Sequence, residues 1–235
     1  MSFPPITLSA EDIGRRVLSE DVHDRLVRLI ASGSLPPGTK LIETHLARQL
    51  GVSQAPVREA LRKLEAVGIV EIQPYRGSIV RDPSPTELIN ALVVRGRLEA
   101  LAGELATSVM TADLLNRLDV LVKDMFEAGS AGKASEYVRL NTAFHSLIIE
   151  AANNDALTRV WRQLEPFTRA FVNNSLVECD PGPLGGNHSL IVEFLREGDS
   201  QAVAAALESH VLEARQVLVD ALEEQGIEAV GPDEE

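Results

Sequence analysis

The chain has 235 residues, of which 45% are hydrophobic and 24% charged, a composition that excludes a disordered or collagen-like chain and allows one large or two modest domains. With a single cysteine, Cys179, no apolar stretch of membrane length and no signal-peptide pattern, we expect a cytoplasmic protein without an internal disulfide or a membrane span. The acidic excess behind the net charge of −13 lies in residues 82–235, where 26 Asp and Glu stand against 11 Lys and Arg, so the first part can still bind nucleic acid.

The first part of the chain is predicted to contain three helices followed by a β-hairpin. The helices are expected over residues 21–31, over residues 43–50 and after Ser53, which is a candidate N-cap, and the strands over residues 69–72 and 78–80. Gly51 makes the tight turn between the second and third helices. Two short helices at this spacing, followed by a hairpin with a basic tip, predict a winged helix-turn-helix.

The outer face of the third predicted helix carries short polar side chains near its start and cations further along. Gln54, Ala55 and Arg58 lie opposite the apolar stripe, and residues 44–81 hold 6 Lys and Arg against 3 Glu. Charged helix faces are usually only solvated. The combination with the hairpin nevertheless favours a helix that binds the major groove of double-stranded DNA.

A family resemblance supports this interpretation. The motifs are Leu35–Leu41, Leu46–Ser53, Pro56–Leu61 and Arg76-Gly77, and together they resemble the DNA-binding domain of GntR-type bacterial transcription regulators. The resemblance implies that Arg58 contacts operator DNA. It also implies that Ser53, Arg76 and Gly77 lie against the phosphates of the DNA or in one of its grooves. Many relatives have Arg-Thr where this chain has Gln54-Ala55, which removes one cation that could pair with guanine. The predicted DNA-binding residues are Ser53, Gln54, Ala55, Arg58, Arg76 and Gly77.

A domain boundary is predicted at residues 81–85, because only long helical periods follow it. Ser84, Pro85 and Glu87 form a helix start, with Ser84 as N-cap. Six helices are expected over residues 85–109, 112–129, 134–152, 155–177, 187–197 and 200–224, with Pro166 bending the fourth. We therefore predict a mainly α protein with a winged helix-turn-helix domain at 1–82, an all-α helical bundle at 83–224 and an acidic, disordered tail at 225–235.

The second domain contains a set of candidate metal ligands. Asn141 and His145 lie four residues apart on one helix face, and His188 and His210 lie on two later helices. Imidazoles from several helices of a bundle can hold Zn or Ni and leave open positions. Alternatively, His145 is a hydrogen-bonded core histidine and the other two lie on the surface. Spacing alone does not decide between these interpretations.

The second domain also resembles a known domain, the FCD effector domain of the FadR subgroup. The matching stretches are Val94–Glu99, Asn141–His145 and His188–Ile191 with Gly198, Asp199 and His210. The resemblance implies a divalent metal held by Asn141, His145, His188 and His210, and a small carboxylate effector gripped by the metal and Arg95. That subgroup usually has Asp at the position of Asn141, and a neutral amide binds metal more weakly. From spacing alone, Arg95 would instead form a surface ion pair with Glu99.

The sequence therefore predicts a ligand-responsive regulator that binds operator DNA as a homodimer and represses transcription until a small organic acid binds. A regulator that senses the metal itself is one alternative. A metal-dependent hydrolase is another, although no carboxylate stands beside the predicted ligands in sequence as a general base. We predict that the protein is not an enzyme.

Overall fold

The computed structural model describes residues 10–73, 77–171 and 182–224. They form two compact units that divide between Asp82 and Pro83.

The first unit contains three helices and a small antiparallel sheet. In chain order these are α1 (Ala10–Ala31), β1 (Lys40–Leu41), α2 (Glu43–Leu50), α3 (Gln54–Ala66), β2 (Val70–Gln73) and β3 (Gly77–Val80). Its core is formed by the apolar faces of all six elements, including Leu26, Leu41, Leu46, Leu61, Val70 and Val80. The predicted helix-turn-helix and hairpin are therefore confirmed.

The turn between α2 and α3 depends on Gly51. This residue has a positive φ of 69°, which glycine adopts without steric cost, and the amide of Val52 donates to the carbonyl of Ala47. Ser53 then precedes α3 in an extended conformation. Its side chain makes no capping hydrogen bond, so the predicted side-chain cap is wrong. The helix nevertheless starts where expected.

The sheet has the strand order β1-β3-β2, with Gln73 opposite Gly77 at the tip of the hairpin. The sequence analysis missed β1, because two residues are too few to show an alternating pattern. Leu41 pairs with Ser78, so β1 is defined by a partner far along the chain. The first helix also begins at Ala10 rather than at residue 21, because the apolar stripe that predicted it starts only at Val22.

The described part of the second unit is entirely helical. It comprises α4 (Pro85–Thr107), α5 (Ala112–Ser130), α6 (Ala134–Ala151), α7 (Asp155–Phe171), α8 (Gly182–Glu197) and α9 (Ser200–Glu224). Ser84 caps α4 as predicted, since its hydroxyl accepts a hydrogen bond of 3.2 Å from the amide of Glu87. The predicted all-α bundle is confirmed.

The ends of two helices in this unit do not coincide with the predicted bounds. The predicted end of the fourth bundle helix at residue 177 lies outside the described residues, which reach Phe171 in α7. Helix α8 begins at Gly182, five residues before the predicted start at 187. Pro183 suits this first helical turn, where its missing amide removes no hydrogen bond. The predicted tail at 225–235 also lies outside the described residues.

The core of the second unit lies where all six of its described helices, α4 to α9, meet. Phe144, Trp161, Ile191, Val203 and Leu207 are among its buried side chains. Helices α4 and α9 approach closely at Gly103, where an added Cβ would lie 2.5 Å from Cδ1 of Leu207. This packing brings the polar residues of α4 next to the predicted ligands.

Candidate metal centre and DNA-binding surface

Three histidines meet in the core of the second unit. His145 on α6, His188 on α8 and His210 on α9 have exposed fractions of 1%, 0% and 8%, and one nitrogen from each lies within 4.8 Å of the others. The alternative that His188 and His210 lie on the surface is therefore wrong. Among the described residues, these histidines are a group that could hold a metal ion.

The three rings pack against one another and against Phe144. His145 stacks on His210 with a centroid distance of 5.2 Å, and the ring of Phe144 lies edge-on to that of His188 at 4.8 Å. Phe144 is itself fully buried. The cluster therefore has an apolar wall on one side, which limits the water available to its nitrogens.

Three of the imidazole nitrogens are buried without a hydrogen-bond partner among the described residues, namely both ring nitrogens of His145 and Nδ1 of His210. Nδ1 of His145 lies 2.6 Å from a carboxylate oxygen of Glu99, which leaves Nε2 of His145 and Nδ1 of His210. Leaving such a group unsatisfied costs about 1–3 kcal/mol, so a bound ligand that satisfies them is favoured. Burial, together with nearby His145, lowers the pKa of His210 to about 3, which keeps its imidazole neutral at pH 7. A neutral imidazole is the form that binds a metal.

The fourth predicted ligand lies beside the histidines. Oδ1 of Asn141 is 2.8 Å from Nε2 of His188, and Asn141 stands one helical turn before His145 on α6. The structure thus brings together all four residues that the family resemblance implied, from three different helices. An amide oxygen and three imidazole nitrogens form a donor set that divalent transition metals accept.

Arg95 forms the ion pair with Glu99 that its spacing allowed, but the pair is not on the surface. The exposed fractions are 6% for Arg95 and 1% for Glu99, and Nε donates to Oε1 over 2.7 Å. Nη1 of Arg95 donates to the hydroxyl of Thr168 on α7 at 3.2 Å. Arg95 therefore lies inside the bundle, where the predicted effector would have to bind.

The sequence analysis missed Glu99 as a residue of the site. Its Oε2 lies 2.6 Å from Nδ1 of His145, and its Oε1 also accepts a hydrogen bond of 2.9 Å from Nε1 of Trp161. Burial favours the neutral acid, but His145, Arg95 and the two hydrogen bonds outweigh it and hold the pKa of Glu99 well below its ordinary value. Glu99 is thus a buried carboxylate with three partners, one of which is a predicted ligand that lies far from it in sequence.

A second polar group extends from the same region along α7. The hydroxyl of Thr142, which follows Asn141, donates to Oε1 of Glu165 over 3.0 Å, and Nε of Arg169 lies 3.2 Å from the same oxygen. Glu165 is buried. The bundle interior therefore carries charged groups on α4 and α7, and the histidine cluster lies on α6, α8 and α9.

The predicted DNA-binding residues lie on the surface of the first unit. Ser53, Gln54, Ala55, Arg58 and Gly77 are all exposed, while Arg76 lies outside the described residues. The opposite face of α3 is buried through Val57, Ala60, Leu61 and Leu64. The start of α3 and the hairpin are therefore free to face a duplex.

Arg58 has a partner that the sequence analysis did not find. Its Nε and Nη2 donate to the carboxylate of Glu43 at the start of α2, with distances of 3.0 and 2.8 Å to Oε2. The contact raises the pKa of Arg58. Glu43 and Arg58 are fifteen residues apart and face each other only because the turn at Gly51 brings α2 and α3 together.

A winged helix-turn-helix unit with a basic outer face, joined in one chain to a helical bundle, defines the class of winged-helix transcription regulators that bind DNA. Within the described residues, no helix is long and apolar enough to cross a membrane.

Comparison with known proteins identifies the family within this class. Residues 18–80 match the family described as bacterial regulatory proteins, gntR family, and residues 90–213 match the FCD domain. The chain belongs to the GntR family of bacterial regulatory proteins with an FCD domain. The family resemblance, the fold class and the expectation of a DNA-binding regulator rather than an enzyme are confirmed.

Individual relatives agree with this assignment. The chain is 33% identical over 209 residues to the probable D-xylose utilization operon transcriptional repressor of Paenarthrobacter nicotinovorans. The aligned region covers 86% of this chain and 89% of the repressor. The solved structure of Escherichia coli McbR/YncC superposes with a TM-score of 0.78 at 25% identity, covering 87% of this chain and 98% of that one. A transcriptional regulator from Rhodococcus sp. RHA1, at 22% identity and a TM-score of 0.70, shows the same fold.

Proposed function

We propose that this regulator is a repressor whose second unit binds a divalent metal through His145, His188, His210 and Asn141 and, with that metal, a small carboxylate. The observation that carries the proposal is the pair of buried imidazole nitrogens, Nε2 of His145 and Nδ1 of His210, that have no partner among the described residues. Buried polar groups without partners are rare in folded proteins and point to a ligand.

The donor set favours a transition metal over calcium or magnesium. Three of the four donors are imidazole nitrogens, which suit Zn and Ni, whereas calcium and magnesium require mostly oxygen ligands. Asn141 contributes no charge, so a divalent metal here would keep both of its positive charges. Such a site would attract an anion more strongly than one with an aspartate at this position.

Arg95 supports a carboxylate as that anion. Nε and Nη1 of Arg95 have partners in Glu99 and Thr168, while Nη2 has no hydrogen-bond partner among the residues that the structure describes. A guanidinium with a remaining donor, in a buried site, binds carboxylates well because the charge-assisted hydrogen bond is not weakened by water. The organic acid would then lie between Arg95 and the metal.

The regulator is proposed to act as a homodimer on a palindromic operator, since each winged unit would then bind one half-site. One observation in the second unit agrees with this. Val94, Leu101 and Leu105 are exposed although apolar, and their spacing puts them on one outer stripe of α4. A second copy of the chain would cover this stripe. Repression is proposed because the relative from P. nicotinovorans is named as a repressor.

The proposal is tested with the full chain after removal of metal by a chelator. Titration of Zn²⁺ and Ni²⁺ in a calorimeter is expected to give one site per chain in the wild type and none in His145→Ala. His45→Ala is the matched control, because it removes an exposed imidazole from the first unit. Equal binding by wild type and His145→Ala would contradict the site, and native mass spectrometry of the same samples gives the subunit number.

A second titration distinguishes a carboxylate sensor from a metal sensor. Binding to a duplex selected from a random-sequence library is measured by fluorescence anisotropy with the metal alone and with a panel of small mono- and dicarboxylates. Release that needs a carboxylate, and that Arg95→Gln abolishes, supports the proposal. Release by the metal alone, without any carboxylate, favours the metal sensor.

A further inference from the structure

We propose that Glu99 is the positioning residue of the metal centre: it determines which ring nitrogen of His145 is left for a metal, and it fixes the orientation of Arg95. This inference rests on the proposed metal site and adds a residue to it. Neither the residues implied by the family resemblance nor the spacing of the histidines includes Glu99. Its three contacts in the bundle interior carry the argument.

The contact with His145 fixes which ring nitrogen is left for a metal. Oε2 of Glu99 and Nδ1 of His145 are 2.6 Å apart, so this nitrogen faces the carboxylate and not a metal. Nε2 of the same ring is buried and has no hydrogen-bond partner among the described residues. Nε2 is therefore the nitrogen of His145 that Glu99 leaves for a metal.

The other oxygen of Glu99 is held by two donors. Nε of Arg95 and Nε1 of Trp161 donate to Oε1 over 2.7 and 2.9 Å. The carboxylate is therefore tied to α4, α6 and α7 and cannot turn away from His145 without losing a buried hydrogen bond. Acceptors of this kind behind a ligating histidine orient the ring and raise its basicity.

The same contact orients Arg95. Because Glu99 accepts from Nε and Thr168 accepts from Nη1, the guanidinium plane is fixed and Nη2 is left without a partner among the described residues. The ion pair also cancels the charge of Arg95, which otherwise would add to that of a metal nearby. Glu99 therefore links the two groups that are proposed to hold the carboxylate effector, His145 through the metal and Arg95 directly.

The test compares Glu99→Gln with Glu104→Gln in the full chain. Both substitutions replace a carboxylate of α4 with an amide, but Glu104 is exposed. Zn²⁺ affinity is measured by competition with a chromophoric chelator, and Co²⁺ is added as a spectroscopic probe of the coordination geometry. Loss of a group behind a ligating histidine typically lowers metal affinity about 10–100-fold. We expect such a loss and an altered Co²⁺ spectrum in Glu99→Gln, and wild-type behaviour in Glu104→Gln.

A second measurement does not depend on the folding of a variant. The ring nitrogen of His145 that binds Zn²⁺ in the wild type is read from long-range ¹H–¹⁵N NMR correlations, and Nε2 is expected. Binding through Nδ1 would overturn the inference. So would unchanged Zn²⁺ affinity and an unchanged Co²⁺ spectrum in folded Glu99→Gln. A wild type that binds no Zn²⁺ would instead refute the proposed metal site itself, and a metal role for Glu99 would fall with it.

Discussion

The close packing of α4 on α9 predicts opposite effects for two glycine-to-alanine substitutions in the same helix. At Gly103 an added Cβ would lie 2.5 Å from Cδ1 of Leu207 and 2.7 Å from Cγ1 of Val203. At Gly96 the nearest atoms are 3.7 Å away, an ordinary contact. Both glycines are buried in α4, so the change in backbone is the same and only the available space differs.

The difference in the free energy of unfolding between the two variants follows from two contributions. Alanine is more favourable than glycine in a helix interior by about 0.8–1 kcal/mol, which applies to both substitutions. Overpacking a well-packed core costs about 1–3 kcal/mol, which applies only to Gly103→Ala, where the branched side chain of Val203 has little freedom to move. Gly96→Ala is therefore expected to be more stable than Gly103→Ala by about 1–3 kcal/mol, the size of the overpacking cost alone.

The assay is urea unfolding followed by tryptophan fluorescence. Trp161 is the only tryptophan of the chain and is buried in the second unit, so its emission reports this unit alone. The unfolding midpoint should be highest for Gly96→Ala, and that of Gly103→Ala should fall below it while the slope stays unchanged. A midpoint for Gly103→Ala equal to or above that for Gly96→Ala would refute the close approach of α4 and α9.

Three further predictions concern the two candidate sites. Arg58→Ala should weaken binding to the selected duplex by about 1–3 kcal/mol in fluorescence anisotropy, and an unchanged ratio between selected and scrambled duplexes would contradict a base contact. Glu43→Gln should release the charge of Arg58, so binding to a scrambled duplex should tighten and the slope of log K against log salt should steepen by about 0.9; the same slope as the wild type would count against the ion pair. His145→Ala should lose the stabilisation that Zn²⁺ at a thousandfold excess over Kd gives the wild type, about 4 kcal/mol in urea unfolding, and an equal Zn²⁺-dependent gain would disprove its role as a ligand.

The fold could be predicted because its signals are local. Apolar residues at helical spacing, the glycine turn at Gly51 and the cap at Ser84 each act over a few residues, and each appears in the structure where expected. The missed strand β1 and the missed partner of Arg58 have a different origin. Leu41 pairs with Ser78, and Glu43 contacts Arg58, so both depend on segments that meet only after the chain has folded.

The candidate site was predictable in part for the same reason. The spacing of Asn141 and His145 gives their shared face, but nothing in one sequence says that the helices of His188 and His210 point toward it; the family resemblance supplied that step. Glu99 is the harder case. It is distant from His145 in sequence, and an arginine and a glutamate four residues apart are usually a surface pair.

The pattern of α4 does, however, contain the signal that identifies this pair as buried. Leu88, Leu92, Ala102 and Ala106 are buried at the spacing of one helix face, and Arg95 and Glu99 fill the two remaining turns of the same stripe. Charged residues on the buried stripe of a helix must be paired, because an isolated charge there costs far more free energy than a core position can offset. A pair that only neutralised itself would be replaceable by apolar residues. A glutamate that also contacts a histidine, and an arginine with a donor that has no partner in the described part of the chain, are instead the features of a site that binds a ligand.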